Sequence, residues 1–135
     1  MTEENKDLLL KDLSARVPYG VKAYVKNLSK LDRKYYEGVY TVESVHPSLN
    51  DIFIYASTEN DSIEVILGDS DYVIKPFLFP LSSMTEEQQL FYSTDLNYMP
   101  YYQRVDWFNK HHIDYRGLIP MGIAIDATGL DVYKS

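Results

Sequence analysis

The sequence predicts an α+β fold, with an N-terminal helix, a small antiparallel five-stranded meander or barrel, two C-terminal helices and an irregular tail. Three observations predict it. A helical apolar spacing runs through residues 4–16. Five short runs rich in Val, Ile, Tyr and Thr follow within 21–75, separated by turn residues. Two further segments, about 85–96 and 102–112, carry a helix-start signal or a helical apolar stripe. With 135 residues, 1–135 reads as a single domain. The 45% hydrophobic and 24% charged content excludes a disordered tail and a collagen-like repeat.

In the first segment Leu9 or Leu10, Leu13 and Val17 share one helical face, and Asp7, Lys11 and Asp12 fall off it. Pro18-Tyr19-Gly20 ends the helix, because proline resists continuation and glycine accepts a turn. Val21, Ala23 and Val25 then alternate with Lys22, Tyr24 and Lys26, the period of a half-buried strand. Tyr35 to Val45 is long enough for a second strand, and the turn residues 46–51 close it. Ile52 to Ala56 and Ile63 to Leu67 supply the third and fourth strands. Gly68-Asp69-Ser70-Asp71 reads as a hairpin, so that Tyr72 to Lys75 pairs back on the fourth strand and Pro76 ends it. The apolar connector Phe77 to Leu81 is expected to plug against the sheet. Ser83 with Glu86, or Thr85 with Gln88, fits a capping box at the next helix start. Val105, Phe108 and His112 line one stripe of the last helix. The tail, 113–135, is expected to be loop with at most a short strand at 122–126.

Net charge is −7, unevenly spread. Residues 1–34 carry 8 cations and 5 acids, residues 35–100 carry Lys75 and 11 acids, and residues 101–135 carry 4 of each. An acidic middle opposes non-specific nucleic-acid binding, which rests on cations against phosphate. It permits a basic protein partner or mimicry of nucleic-acid charge, and the plainer reading is a soluble surface that avoids self-association. A nucleic-acid-binding small barrel would instead rely on a basic edge of Lys22, Lys26, Lys30, Arg33 and Lys34. The absence of cysteine excludes disulfides, thiolate metal sites and thiol catalysis. No apolar stretch reaches the length of a membrane span, and the polar start does not fit a secretory signal. A cytoplasmic protein is expected.

Chemistry-bearing residues concentrate at Asp106 to Arg116. His111, His112 and Asp114 are weak candidates for a divalent metal, with His46 as a distant third imidazole. Adjacent helical side chains point about 100° apart, which makes that geometry poor. A stack of His111 on Trp107 one turn away, a helix end at His112, and capping or mutual pairing by Asp114 and Arg116 account for the same residues structurally. No phosphate-binding glycine loop and no nucleophile elbow is present, so neither catalysis nor a cofactor is expected. Tyrosine stands out, with 13 Tyr against 5 Phe. Tyr98, Tyr101 and Tyr102 fall near a predicted loop, where aromatic side chains suit partner contact. The candidate binding residues are therefore Tyr98, Tyr101, Tyr102, Trp107, His111, Asp114 and Arg116.

Three strings, Leu9 to Val21, Lys75 to Glu87 and Asp106 to Ile119, together resemble a family of short proteins from gut Bacteroidales genomes and their phages and prophages. They cover under a third of the chain, and the region between Val21 and Ile74 carries none of the resemblance. The resemblance implies a mobile-element setting and a host-cell cytoplasm, and it carries over no catalytic residue. The function expected is that of a non-enzymatic accessory protein acting by protein–protein contact. An acidic inhibitor of a host protein is its sharpest form. A small metal-dependent enzyme and a nucleic-acid binder are the alternatives.

Overall fold

The computed structural model describes residues 1–27, 36–94 and 98–133. Helix α1 spans Glu3–Arg16, capped by Thr2, whose Oγ1 accepts the Asn5 N–H at 3.0 Å. Five strands follow: β1 (Lys22–Asn27), β2 (Glu37–Pro47), β3 (Ile52–Ser57), β4 (Ser62–Ile66) and β5 (Tyr72–Leu78). Helices α2 (Glu86–Thr94) and α3 (Tyr101–Lys110) come next, then a two-residue strand β6 (Ile125–Asp126). Residues 95–96 of the expected second helix, and Lys30, Arg33 and Lys34 of the expected basic edge, lie outside the described residues.

The expected class holds, with an open six-stranded sheet in place of a five-stranded meander or barrel. Its order is β4-β3-β2-β1-β5-β6, antiparallel except for the β5–β6 pair. The first four strands do form a meander. The fifth departs from the sequence reading, because β5 pairs with β1 and not with β4. Val21, Ala23 and Val25 are fully buried, so β1 belongs at the centre of the sheet and needs a neighbour on both edges. Strand β5 satisfies that need and buries Ile74 and Leu78 in the same core.

Pro76 also departs from expectation, lying within β5 opposite Ala23 instead of ending the strand. The Leu78 carbonyl accepts from the Ala127 N–H on the β6 side. Period-two alternation gives Pro76 the same orientation, so its missing N–H faces away from β1 and breaks no bond of that ladder. The tail closes the opposite seam. Tyr133 reaches between β1 and β5, accepting the Lys22 N–H at 3.0 Å and donating to the Phe77 carbonyl at 2.6 Å. Tyr133→Phe is expected to cost about 1–2 kcal/mol in urea unfolding, since two backbone groups lose their partner. An unchanged midpoint would mean that water replaces the hydroxyl.

Leu9 and Leu13 of α1 pack on the inner face of the sheet with Val42, Ile54, Val65, Leu78 and Leu118. Asp12 and Arg16, one turn apart, lie on that same buried face. Asp12 was expected off it. Among the described residues, no helix is long and apolar enough to cross a membrane.

Candidate functional site

Two arrangements emerge from the segment that the sequence singles out, one structural and one exposed. The structural one begins where α3 ends. His111 caps the helix and His112 turns left-handed at φ 58°. The Ile113 N–H then donates back to the Phe108 carbonyl at 2.9 Å and the His112 N–H to Asn109 at 3.2 Å. This is the Schellman pattern, usually signalled by glycine, which is why the sequence placed the helix end late. Ile113 next forms a parallel bridge with Phe79.

Arg16 anchors this turn from α1. Its Nε donates to Asp12 Oδ2 at 3.0 Å, its Nη2 to the Ile113 carbonyl at 2.7 Å and its Nη1 to the Phe108 carbonyl at 3.5 Å. Arg116 donates to the other Asp12 oxygen at 2.9 Å, and the Tyr115 ring lies against both guanidiniums, at 5.4 Å from Arg16 and 4.6 Å from Arg116. Asp114 is buried and accepts the Leu118 and Ile119 N–H groups at 2.8 and 2.9 Å. Asp114 thus caps the following turn, and Arg116 pairs with Asp12 instead of with Asp114. The segments Leu9 to Val21, Lys75 to Glu87 and Asp106 to Ile119 meet here, through Arg16, Phe79 and Ile113.

The two histidines separate. His112 stacks on Tyr133 with ring centres 3.9 Å apart, and its buried Nδ1 has no hydrogen-bond partner among the described residues. Burial, with Arg16 and His111 nearby, pushes its pKa down to about 4. A neutral buried histidine binds fewer protons than the unfolded chain does, so its contribution to stability is full above about pH 6.5 and is lost as pH falls towards 4. The unfolding midpoint is expected to fall across that window. A His112→Asn variant should show a flatter profile, and an equal slope in both proteins would place the titration elsewhere. His111 points to α2 and contacts Trp107 at the expected spacing, the ring centres 4.7 Å apart but the planes tilted by 49° instead of stacked. Burial lowers its pKa, with a smaller push from Lys110. Among the described residues, no group of three His, Cys, Asp or Glu side chains stands close enough to hold a metal ion. His111, His112 and Asp114 are therefore not brought together, and His46 packs edge-to-face on Tyr55 in the sheet.

The exposed arrangement is the α2–α3 pair. Thr85 and Gln88 form the expected capping box, the Thr85 N–H donating to Gln88 Oε1 at 3.0 Å and the Gln88 N–H to Thr85 Oγ1 at 3.1 Å. Ser83, the other candidate cap, donates to the Pro80 carbonyl instead. Helix α2 rests on α3 by Phe91 stacked on Trp107 at 5.3 Å and Tyr92 against Phe108 at 5.9 Å. Between the helices opens a cleft of about 530 Å³, lined by Thr85, Glu87, Gln88, Leu90, Phe91, Trp107 and His111. Leu90, Tyr98, Tyr101 and Tyr102 keep between 64% and 89% of their surface in solvent.

Of the seven candidate binding residues, Trp107 and His111 line the cleft, and Tyr98, Tyr101 and Tyr102 stand exposed at and before the start of α3. Asp114 and Arg116 line a different hollow of about 510 Å³ on the far side of the turn. Leu90 and Phe91 were missed. Their signal was present as an apolar pair inside a polar helix, but α2 carries too little apolar periodicity to show which side faces solvent. No protein-family model, curated protein or solved structure matches the chain.

Proposed function

We propose that this is a non-enzymatic accessory protein that acts by binding another protein through the α2–α3 surface. The observation that carries the reading is an aromatic-floored cleft on a helix pair that leaves Leu90, Tyr98, Tyr101 and Tyr102 in solvent. Apolar side chains left exposed in such a group mark interaction surfaces, and aromatic anchors dominate contact energies. The occupant is a basic, amphipathic segment of a partner protein. Its apolar side chain would enter the cleft against Phe91 and Trp107, and its cations would meet Glu86 and Glu87 at the start of α2. The acidic stretch 35–100 and the family resemblance support the sharper form, a mobile-element inhibitor that occupies a basic site on a host protein.

Trp107 is the single tryptophan, so the cleft reports on itself. A partner captured from host lysate at low salt should change Trp107 emission saturably when titrated as a purified protein. Leu90→Arg, which adds like charge against a basic partner at a solvent-exposed position, should weaken binding about a hundredfold. Glu59→Gln, in the exposed β3–β4 turn, should not. A partner that binds Leu90→Arg as well as the parent protein would refute the cleft as its site.

A further inference from the structure

The solvent side of the sheet is charged in a way that neither the acidic composition nor the α2–α3 cleft explains. Inward side chains of β1 to β5 form the core, so the alternate residues face out, to solvent except at Phe77 of β5, which is covered. On β1 and β5 the charged outward residues are Lys22, Lys26 and Lys75. On β2 and β4 they are Glu37, Glu43 and Glu64, while β3 contributes Phe53, Tyr55 and Ser57. Lys75 is the single cation between residues 35 and 100, and the register sets it beside Tyr24, between the positions of Lys22 and Lys26. Among the described residues, three lysines therefore occupy one side of the face and three glutamates the other, and the boundary is the β1–β2 seam.

That seam is apolar at its centre. Tyr24 on β1 stands opposite Val39 on β2, and Val39 is 41% exposed. On the acidic side Glu43, Tyr55, Ser57 and Glu64 line a hollow of about 320 Å³. Glu43 accepts the Ser57 hydroxyl, which places it on this face although it sits in the β2 bulge between Val42 and Ser44. Tyr55 hydrogen-bonds Glu64, and the carboxylate raises the phenol pKa. Within the chain Lys26 pairs across the seam with Glu37 at 3.9 Å, and the Tyr24 hydroxyl donates to the same carboxylate.

From this we infer that the outer sheet face pairs with the same face of a second copy of this chain. A two-fold axis parallel to the strands along the β1–β2 seam exchanges left and right. It sets the lysine half of each copy against the glutamate half of the other, and Tyr24 of each copy against Val39 of the other. The face is thus complementary to itself, which a surface of one sign cannot be. Five strands about 4.8 Å apart give a contact about 20 Å wide. That is small for a permanent dimer, so dissociation in the micromolar range is expected.

Sedimentation equilibrium of the whole chain tests this. At about 0.01 M salt and about 100 μM protein the mass should approach twice 15.7 kDa. At about 1 M salt, where charges are screened beyond about 3 Å, the dimer should dissociate about tenfold more readily. The Lys26→Glu, Lys75→Glu variant should be monomeric, and so should Glu43→Lys, Glu64→Lys. An equimolar mixture of the two should recover the double mass, because each now carries the sign the other lacks. If one variant fails to fold by circular dichroism, Val39→Arg alone should break the parent dimer. A parent monomer at low salt overturns the inference. So does a dimer unaffected by these changes, or a mixture that stays monomeric.

Discussion

Arg16→Ala is expected to destabilise the protein by about 3–5 kcal/mol, the cost of leaving one member of a buried ion pair without the other. Asp12 and Arg16 are both fully buried in α1. Removing the guanidinium strips Asp12 of one of its two cations, leaves the Ile113 carbonyl without this donor, and leaves the Phe108 carbonyl with the Ile113 N–H alone. Arg116 remains on Asp12 but is partly in water, and it does not reach those carbonyls. Asp12→Leu combined with Arg16→Met should recover much of the loss, because apolar replacement of a whole buried pair is often neutral. Urea unfolding of the two single variants and the double variant measures the coupling. A loss below about 1 kcal/mol for Arg16→Ala would mean that water enters the site and solvates Asp12.

Asp114→Ala is expected to cost about 2–3 kcal/mol, since a buried carboxylate that accepts two backbone N–H groups contributes charge-assisted bonds. Leu118 and Ile119 lose their acceptor, and with them the turn that delivers Leu118 to the core. The consequence should be local as well as global. Amide exchange at Leu118 and Ile119 should accelerate more than at Val25 or Ile54 in the sheet. Asp114→Asn keeps one acceptor oxygen and should retain about half of the stability. Equal exchange at all four positions would mean that the tail unfolds only with the whole domain.

The two predictions share a lesson about legibility. The Asp12–Arg16 spacing was visible as an i, i+4 pair, yet such pairs mark solvated helix faces more often than cores. Burial came from residues about a hundred positions away, Ile113 and Arg116, whose proximity to α1 no local pattern encodes. The His111–Trp107 contact was legible because its partners are one turn apart. The separation of His111 from His112 was not, because a left-handed residue at His112 re-aims the chain. Asp114 and Arg116 belonged to the right constellation in the sequence, but folding turned them inward, away from the aromatic helix pair.

The sequence by itself determined α1, the alternation of β1, the Thr85–Gln88 cap and the class of fold, since each rests on neighbours within four residues or on a strict period. It also set the polarity of the chain, and with it the presence of an acidic stretch interrupted by Lys75. Only the tertiary structure decided that β5 pairs with β1, that Pro76 sits inside a strand, and that Leu90 stands in solvent above Phe91 and Trp107. Only the tertiary structure, too, set Lys75 beside Lys22 and Lys26. Strand partnership is a competition among edges for the same apolar core. Its outcome depends on which edge is left unpaired once α1 has covered the sheet, and no segment carries that information alone.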